Sequence, residues 1–156
     1  MTEASRYVMP GIQSAPERTG WRDEWISTWH RNQHHSLAMT DLDFVCAESA
    51  FNTPVAIIDY KKMRKMHLSH PSGALKSINN LSLMARLPFF IVFYQEEPPV
   101  FTVEPMNPQA HDWMPSGTEV MSEREYVEFL FAIRKQQPDE AYLQTLSTMK
   151  PLRKAS

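Results

Sequence analysis

The sequence predicts an α/β domain, on three observations. Two apolar runs of strand length, residues 55–61 and 89–95, are separated by a segment, 74–85, whose apolar residues recur at helical spacing. The 156 residues are 42% apolar and 11% aromatic, which suffices for one compact core. Only four glycines interrupt the chain, and most of the twelve prolines stand near its ends or between elements.

Residues 1–18 mix Pro, Ser, Glu and Gly without a period and read as an irregular N-terminal arm. A single domain over 19–136 follows, and 137–156 form a C-terminal tail with room for a further helical turn. Trp21, Trp25 and Trp29 fall at i, i+4 and i+8 among Arg22, Asp23, Glu24 and Arg31. That spacing predicts a short amphipathic helix with its indoles toward the core. A polar break at 32–36 leads into a first strand over 40–47. Turn formers at 48–54 join it to the apolar strand 55–61, so the two should pair as an antiparallel hairpin. A basic stretch containing Lys61, Lys62, Arg64 and Lys65 precedes the second helix, in which Ala74, Ile78, Leu81 and Ala85 mark the core face. This helix stops before Pro88. Strand 89–95 is apolar almost throughout and belongs in the middle of the sheet, with 100–103 as its shorter neighbour. Residues 105–121, with three prolines and one glycine, read as an ordered surface loop. Ser122 and Glu125 fit a capping box, and Tyr126, Leu130 and Ile133 continue it as an amphipathic helix ending near Gln136.

The formal net charge of −2 supplies no global field for drawing in nucleic acid. A single cysteine, Cys46, excludes an internal disulfide, and no apolar run approaches the ~20 residues of a membrane span. Glu3 and Arg6 stand where a secretory signal would be apolar, so a cytoplasmic setting without a membrane partner is expected.

The chemistry concentrates on the first two strands. A strand projects alternate residues to one side, so Asp59 and Lys61 share a face while Ile58 and Tyr60 share the other. Asp41 and Asp43 obey the same period on the preceding strand, and the hairpin makes the acidic residues neighbours. Carboxylates so placed suit Mg²⁺ or Mn²⁺, which prefer oxygen ligands. Such a cation stabilises negative charge that builds on a reacting group and lowers the pKa of a bound water.

The order helix, acidic strand, Asp-x-Lys strand, helix, apolar strand, over residues 21–104, resembles the PD-(D/E)xK nuclease superfamily of restriction endonucleases, Holliday-junction resolvases and phage exonucleases. Asp43 before Phe44 and Val45 carries the likeness, as do Asp59, Tyr60 and Lys61 at the end of an apolar strand. Stretches 54–61 and 87–94 look like small bacterial and phage proteins of that group. The resemblance implies a restriction-endonuclease-like mixed sheet flanked by helices, with the C-terminal helix 122–136 added, either covering the sheet or making a homodimer contact. It also implies metal-dependent hydrolysis of phosphodiester bonds, with DNA the expected nucleic acid. In that reading Asp43, Asp59 and the carbonyl of Tyr60 hold Mg²⁺ or Mn²⁺, and Glu24 fits the place of an additional acidic ligand. Lys61 orients or activates the water, or stabilises the phosphate. Asp41 remains open as the alternative to Asp43, which is preferred because the apolar run begins directly after it; Leu42 stands where the family's proline is usual. Lys62, Arg64, Lys65, His30 and Arg31 are the candidates for phosphate contacts.

Two other readings use the same residues differently. A phage- or mobile-element-encoded protein that keeps the fold without catalysis would bind a host protein or nucleic acid instead. A zinc-stabilised module would draw on Cys46 with His30, His34, His35, His67 and His70. Trp113 either caps the core or stacks on a base.

Overall fold

Alternating burial along the strands builds the domain as three layers, with a sheet between helices. In the computed structural model the described residues are Trp25, Trp29, Leu42 and residues 44–48, 51–63 and 73–150. The chain falls into two units, Met1–Met39 and Thr40–Ser156. In the first unit, Trp25 and Trp29 are helical, as their spacing predicts, and their ring centroids lie 6.1 Å apart. Both are exposed, which corrects the expectation that they face the core. Their four-residue spacing places the two indoles against each other, and each covers part of the other's apolar surface.

The second unit carries strands β1 (Phe44–Glu48), β2 (Thr53–Lys62), β3 (Phe89–Glu96), β4 (Pro99–Pro105) and β5 (Glu119–Ser122). Four helices accompany them among the described residues: α1 (Gly73–Ala85), α2 (Pro108–Trp113), α3 (Glu123–Ile133) and α4 (Glu140–Leu143). The strands lie side by side in chain order. Strand β1 pairs antiparallel with β2, as the hairpin expectation requires, with Phe44 opposite Ile58 and Cys46 opposite Ala56. Asn52 takes the left-handed conformation in the connecting turn, a region that Asn tolerates better than most residues. Strands β2 and β3 are parallel, with α1 as their crossover, and β3–β4 and β4–β5 are antiparallel. The sheet is therefore mixed.

Strand β3 is central, as its composition predicts: Phe89, Phe90, Ile91 and Val92 are all buried because helices cover both of its faces. On one face, Ile57, Phe89 and Ile91 pack with Leu75 and Ile78 of α1. On the other, Ala56, Ile58, Phe90, Val92 and Val103 pack with Ala110, Met114, Tyr126 and Ile133. Helix α3 thus covers the sheet with the face that Tyr126 and Ile133 were expected to define.

Two further expectations are corrected. The core face of α1 is Leu75, Ile78 and Ser82, whereas Leu81 and Ala85 are exposed. Ser82 occupies an inward position because its hydroxyl donates to the Asn79 carbonyl at 2.6 Å and accepts from Asn107 at 3.0 Å, so an apolar period alone rotates the face. Residues 105–121 are not a loop throughout, because they contain α2 and β5. Asn107 caps α2 through its side chain and Pro108 opens the helix, where a missing N–H costs nothing.

Both α1 and α3 end in Schellman turns without glycine. Arg86 and Lys135 sit at φ +56° and +55°. The paired bonds Leu87 N to Ser82 O (2.9 Å) and Arg86 N to Leu83 O (3.2 Å) close α1, and Gln136 N to Phe131 O (3.0 Å) and Lys135 N to Ala132 O (2.8 Å) close α3.

The side chain of Asn107 uses every hydrogen-bonding position it has. Its Oδ1 accepts from the amides of Phe89 (3.2 Å) and Ala110 (2.9 Å), and its Nδ2 donates to Ser82 Oγ (3.0 Å) and to the Leu87 carbonyl (2.8 Å). Asn107→Asp replaces the donor pair by an oxygen facing two acceptors, and Asn107→Ala leaves two buried amides unpaired. Each substitution is expected to destabilise the fold by roughly 2–4 kcal/mol, read from urea unfolding midpoints, against about 1 kcal/mol for Ser82→Ala.

The capping box at α3 is present as predicted, with Glu125 accepting from the Ser122 amide at 2.7 Å and pairing with Lys150 at 2.8 Å. Burial pushes the Glu125 carboxyl upward, but the bonds from Lys150 and Ser122 outweigh it and the net shift is downward. A depressed carboxyl contributes stability that is present above its unfolded pKa, about 4.3, and lost as the pH falls through the lower folded value. The gap in urea midpoint between the native chain and Glu125→Gln should therefore be open at pH 7 and shrink on titration below about pH 4.

Candidate functional site

Strand β2 places Asp59 and Lys61 on the α1 face, because the neighbouring inward residue of the same parity, Ile57, packs there. Tyr60, of opposite parity, packs with the α3 layer. Register sets Asp59 beside Ile91 and Lys61 beside Phe93 of the central strand. Asp59 is consequently buried, at 3% exposure, in the middle of an apolar face. Its partner is Lys61, whose Nζ lies 3.2 Å from Oδ1 and 3.0 Å from Oδ2. The second contact is close without having hydrogen-bond geometry, so Oδ2 is a buried oxygen paired by charge alone. Lys61 is about half exposed, at 47% for its side chain, so the pair opens to solvent on the lysine side.

One further carboxylate shares this face. Glu104 lies opposite Ile91 on β4, and its parity is opposite to that of Val103, which faces α3. The row Asp59, Ile91, Glu104 thus crosses three strands, and the two acidic positions are separated by about 10 Å at the strand spacing of ~4.8 Å. Sequence reasoning missed Glu104 because the strand was expected to end at Val103. Its signal was the alternation of Thr102 and Glu104 with Phe101 and Val103. Among the described residues no three His, Cys, Asp or Glu side chains form a metal-holding group.

The remaining sequence-nominated residues divide plainly. Glu24, His30, Arg31, Asp41, Asp43, Arg64 and Lys65 lie outside the described residues, as do His34, His35, His67 and His70. Lys62 is described and forms an ion pair with Glu96 at 2.9 Å, so its charge is already balanced on the surface. Trp113 is 41% exposed, while the adjoining Met114 fills the core. Burial pushes the Cys46 thiol above its ordinary range and Arg134 only partly offsets this.

Behind the site, Tyr60 is held by aromatic contacts on several sides. Its hydroxyl hydrogen-bonds that of Tyr126 on α3, and its ring meets Phe44 edge-on at 5.1 Å, Tyr94 at 6.5 Å and Tyr126 at 6.4 Å. Tyr126 in turn stacks on Phe101 at 4.3 Å. Burial pushes both phenols above their usual range; the hydrogen bond from Tyr126 partly offsets this for Tyr60, while for Tyr126 the nearby Tyr60 and Cys46 add to it.

No family model, curated protein or solved structure matches the chain. Residue chemistry and geometry therefore carry the functional argument. No helix among the described residues is long and apolar enough to cross a membrane.

A buried carboxylate with one cationic partner is sensitive to loss of that partner. Lys61→Ala is expected to lower stability by about 1–2 kcal/mol, less than for a fully buried pair because Lys61 is half exposed, and Asp59→Asn added to it should restore most of the loss. Urea unfolding of the two singles and the double checks this coupling.

Proposed function

We propose that the chain is a metal-dependent nuclease of the PD-(D/E)xK type with a restriction-endonuclease-like core, hydrolysing phosphodiester bonds in DNA. The observation that carries this reading is the buried Asp59, paired with Lys61 across one residue of β2. Element order supports it: a strand following the acidic residues, an Asp-x-Lys strand antiparallel to it, a helix, then a buried parallel strand. Asp43 immediately precedes Phe44, whose partner Ile58 immediately precedes Asp59.

The donor chemistry fits a hard cation. Asp59 offers a buried oxygen held only by the charge of Lys61, and carboxylate oxygen is what Mg²⁺ and Mn²⁺ select. When bound, the cation supplies charge stabilisation to the phosphoryl group and acidifies water. Asp59 and Asp43 would hold it with the Tyr60 carbonyl. Lys61, whose side chain is about half exposed, would orient the attacking water or steady a phosphate oxygen with its ammonium. Arg64 and Lys65 would contact the backbone of the nucleic acid, and Lys62 would do so only by giving up Glu96.

A non-catalytic interaction protein is the second reading, and the exposure of Phe44, Val45 and Phe51 along and beside the edge strand β1 favours it. The two separate in one experiment. Purified protein is incubated with supercoiled plasmid, linear duplex and RNA in Mg²⁺ or Mn²⁺, with Mn²⁺ binding measured in parallel by calorimetry. Cleavage of DNA that EDTA stops, and that Asp59→Ala or Lys61→Ala reduces about 10²–10³-fold while the circular dichroism spectrum is kept, is the expected result. A native chain that neither binds Mn²⁺ nor cuts any substrate overturns the nuclease reading.

A further inference from the structure

The site sits on one face of β2 and an aromatic anchor sits directly behind it on the other. Asp59, Tyr60 and Lys61 are consecutive, so the side chain of Tyr60 points to the α3 layer while the ionic pair points to α1. Tyr60 is fixed at its tip by the hydroxyl of Tyr126 and along its ring by Phe44 and Tyr94. Tyr126 cannot shift to follow it, being 3% exposed, stacked on Phe101 and carried on a helix whose first turn is closed by the capping box. A rotation or slide of the tripeptide that moved Asp59 would have to break the bond between the two phenols.

We propose that Tyr126 is a positioning residue, which through the hydroxyl of Tyr60 fixes the backbone that presents Asp59, the Tyr60 carbonyl and Lys61 to a divalent cation. This rests on the metal-site reading above and deepens it by assigning a role to α3, which lies outside the region 21–104 that resembles the nucleases. The device works across the thickness of the sheet. Outer partners that orient ligands commonly change metal affinity by about 10–100-fold when removed, although they never touch the ion.

Tyr126→Phe keeps the ring and its stacking but leaves the part-buried Tyr60 hydroxyl without its partner, so a loss of stability accompanies any loss of positioning. The double variant Tyr60→Phe/Tyr126→Phe removes both hydroxyls and separates the effects. Mn²⁺ affinity is measured by calorimetry, and Tm by circular dichroism, on the full chain. The expected result is that Tyr126→Phe weakens Mn²⁺ binding about tenfold and lowers Tm, and that the double variant recovers Tm while its Mn²⁺ affinity stays about tenfold weak. Recovery of both quantities in the double variant shows a purely structural contact and overturns the positioning role. Native affinity in Tyr126→Phe overturns it as well, with the metal site left standing. A native chain that binds no Mn²⁺ overturns the metal-site reading and the positioning role with it.

Discussion

The four hydrogen bonds of Asn107 are the constraint on which the sheet's central register depends. The parallel pair β2 and β3 has no tight turn to set its alignment, because a crossover of more than twenty residues separates the strands. Alignment must instead be fixed where β3 begins. Asn107 does this by accepting from Phe89, the first residue of β3, and donating to Leu87, just past α1, and to Ser82 within it. The same oxygen caps α2. One amide side chain therefore joins the end of the crossover, the start of the central strand and the return from β4, all in a buried environment where an unmet partner costs about 1–3 kcal/mol. Since Phe89 lies beside Ile57, that alignment also determines which residue of β3 stands beside Asp59.

Asp59 is the position where the fold departs from what packing alone would choose. Its neighbours of the same parity and row are Ile57 and Ile91, and a branched apolar residue between them would complete the face without desolvating a charge. The effective penalty for taking a carboxylate out of water is several kcal/mol, and one half-exposed lysine returns only part of it. Buried ionic pairs are weak evidence for stability, so folding alone does not account for this one. Asn107 makes the contrast clear. It is equally buried, yet fully satisfied, and its role is structural.

Legibility followed the strength of the local signal. Strands β2 and β3 were readable because each is a continuous apolar run, and the hairpin and the Ser122 capping box because their residues are local in sequence. The face of α1 was misread because Ser82, a polar residue, faces inward to meet Asn107 twenty-five positions later, a partnership no window of helical spacing contains. The ends of α1 and α3 carry no glycine, since Arg86 and Lys135 occupy the left-handed position, and only the proline after α1 marked a stop. Helix α2 was hidden in a proline-rich stretch although Asn107 and Pro108 spell its start. At the site, alternation placed Asp59 with Lys61 and set Tyr60 on the opposite face. It could not reveal Tyr126, which meets Tyr60 across sixty-six residues, nor that Lys62 is engaged by Glu96.

The two faces of β2 are not independent. A strand passes displacement from one side to the other with little loss, because the backbone of residues 57–62 is held in the ladder to β3 and Asp59 and Tyr60 are packed on opposite faces. The polar pair on the α1 side has freedom only in the exposed lysine, whereas Tyr60 on the α3 side is held at ring and tip. Rigidity is thus supplied from behind the site, by aromatic packing against the buried Tyr126, and adaptability is left to the half-exposed lysine. In the proposed reading, where a carboxylate would hold a cation and a lysine would engage a phosphate, that division suits the task. The carboxylate would stay in place and the ammonium would move.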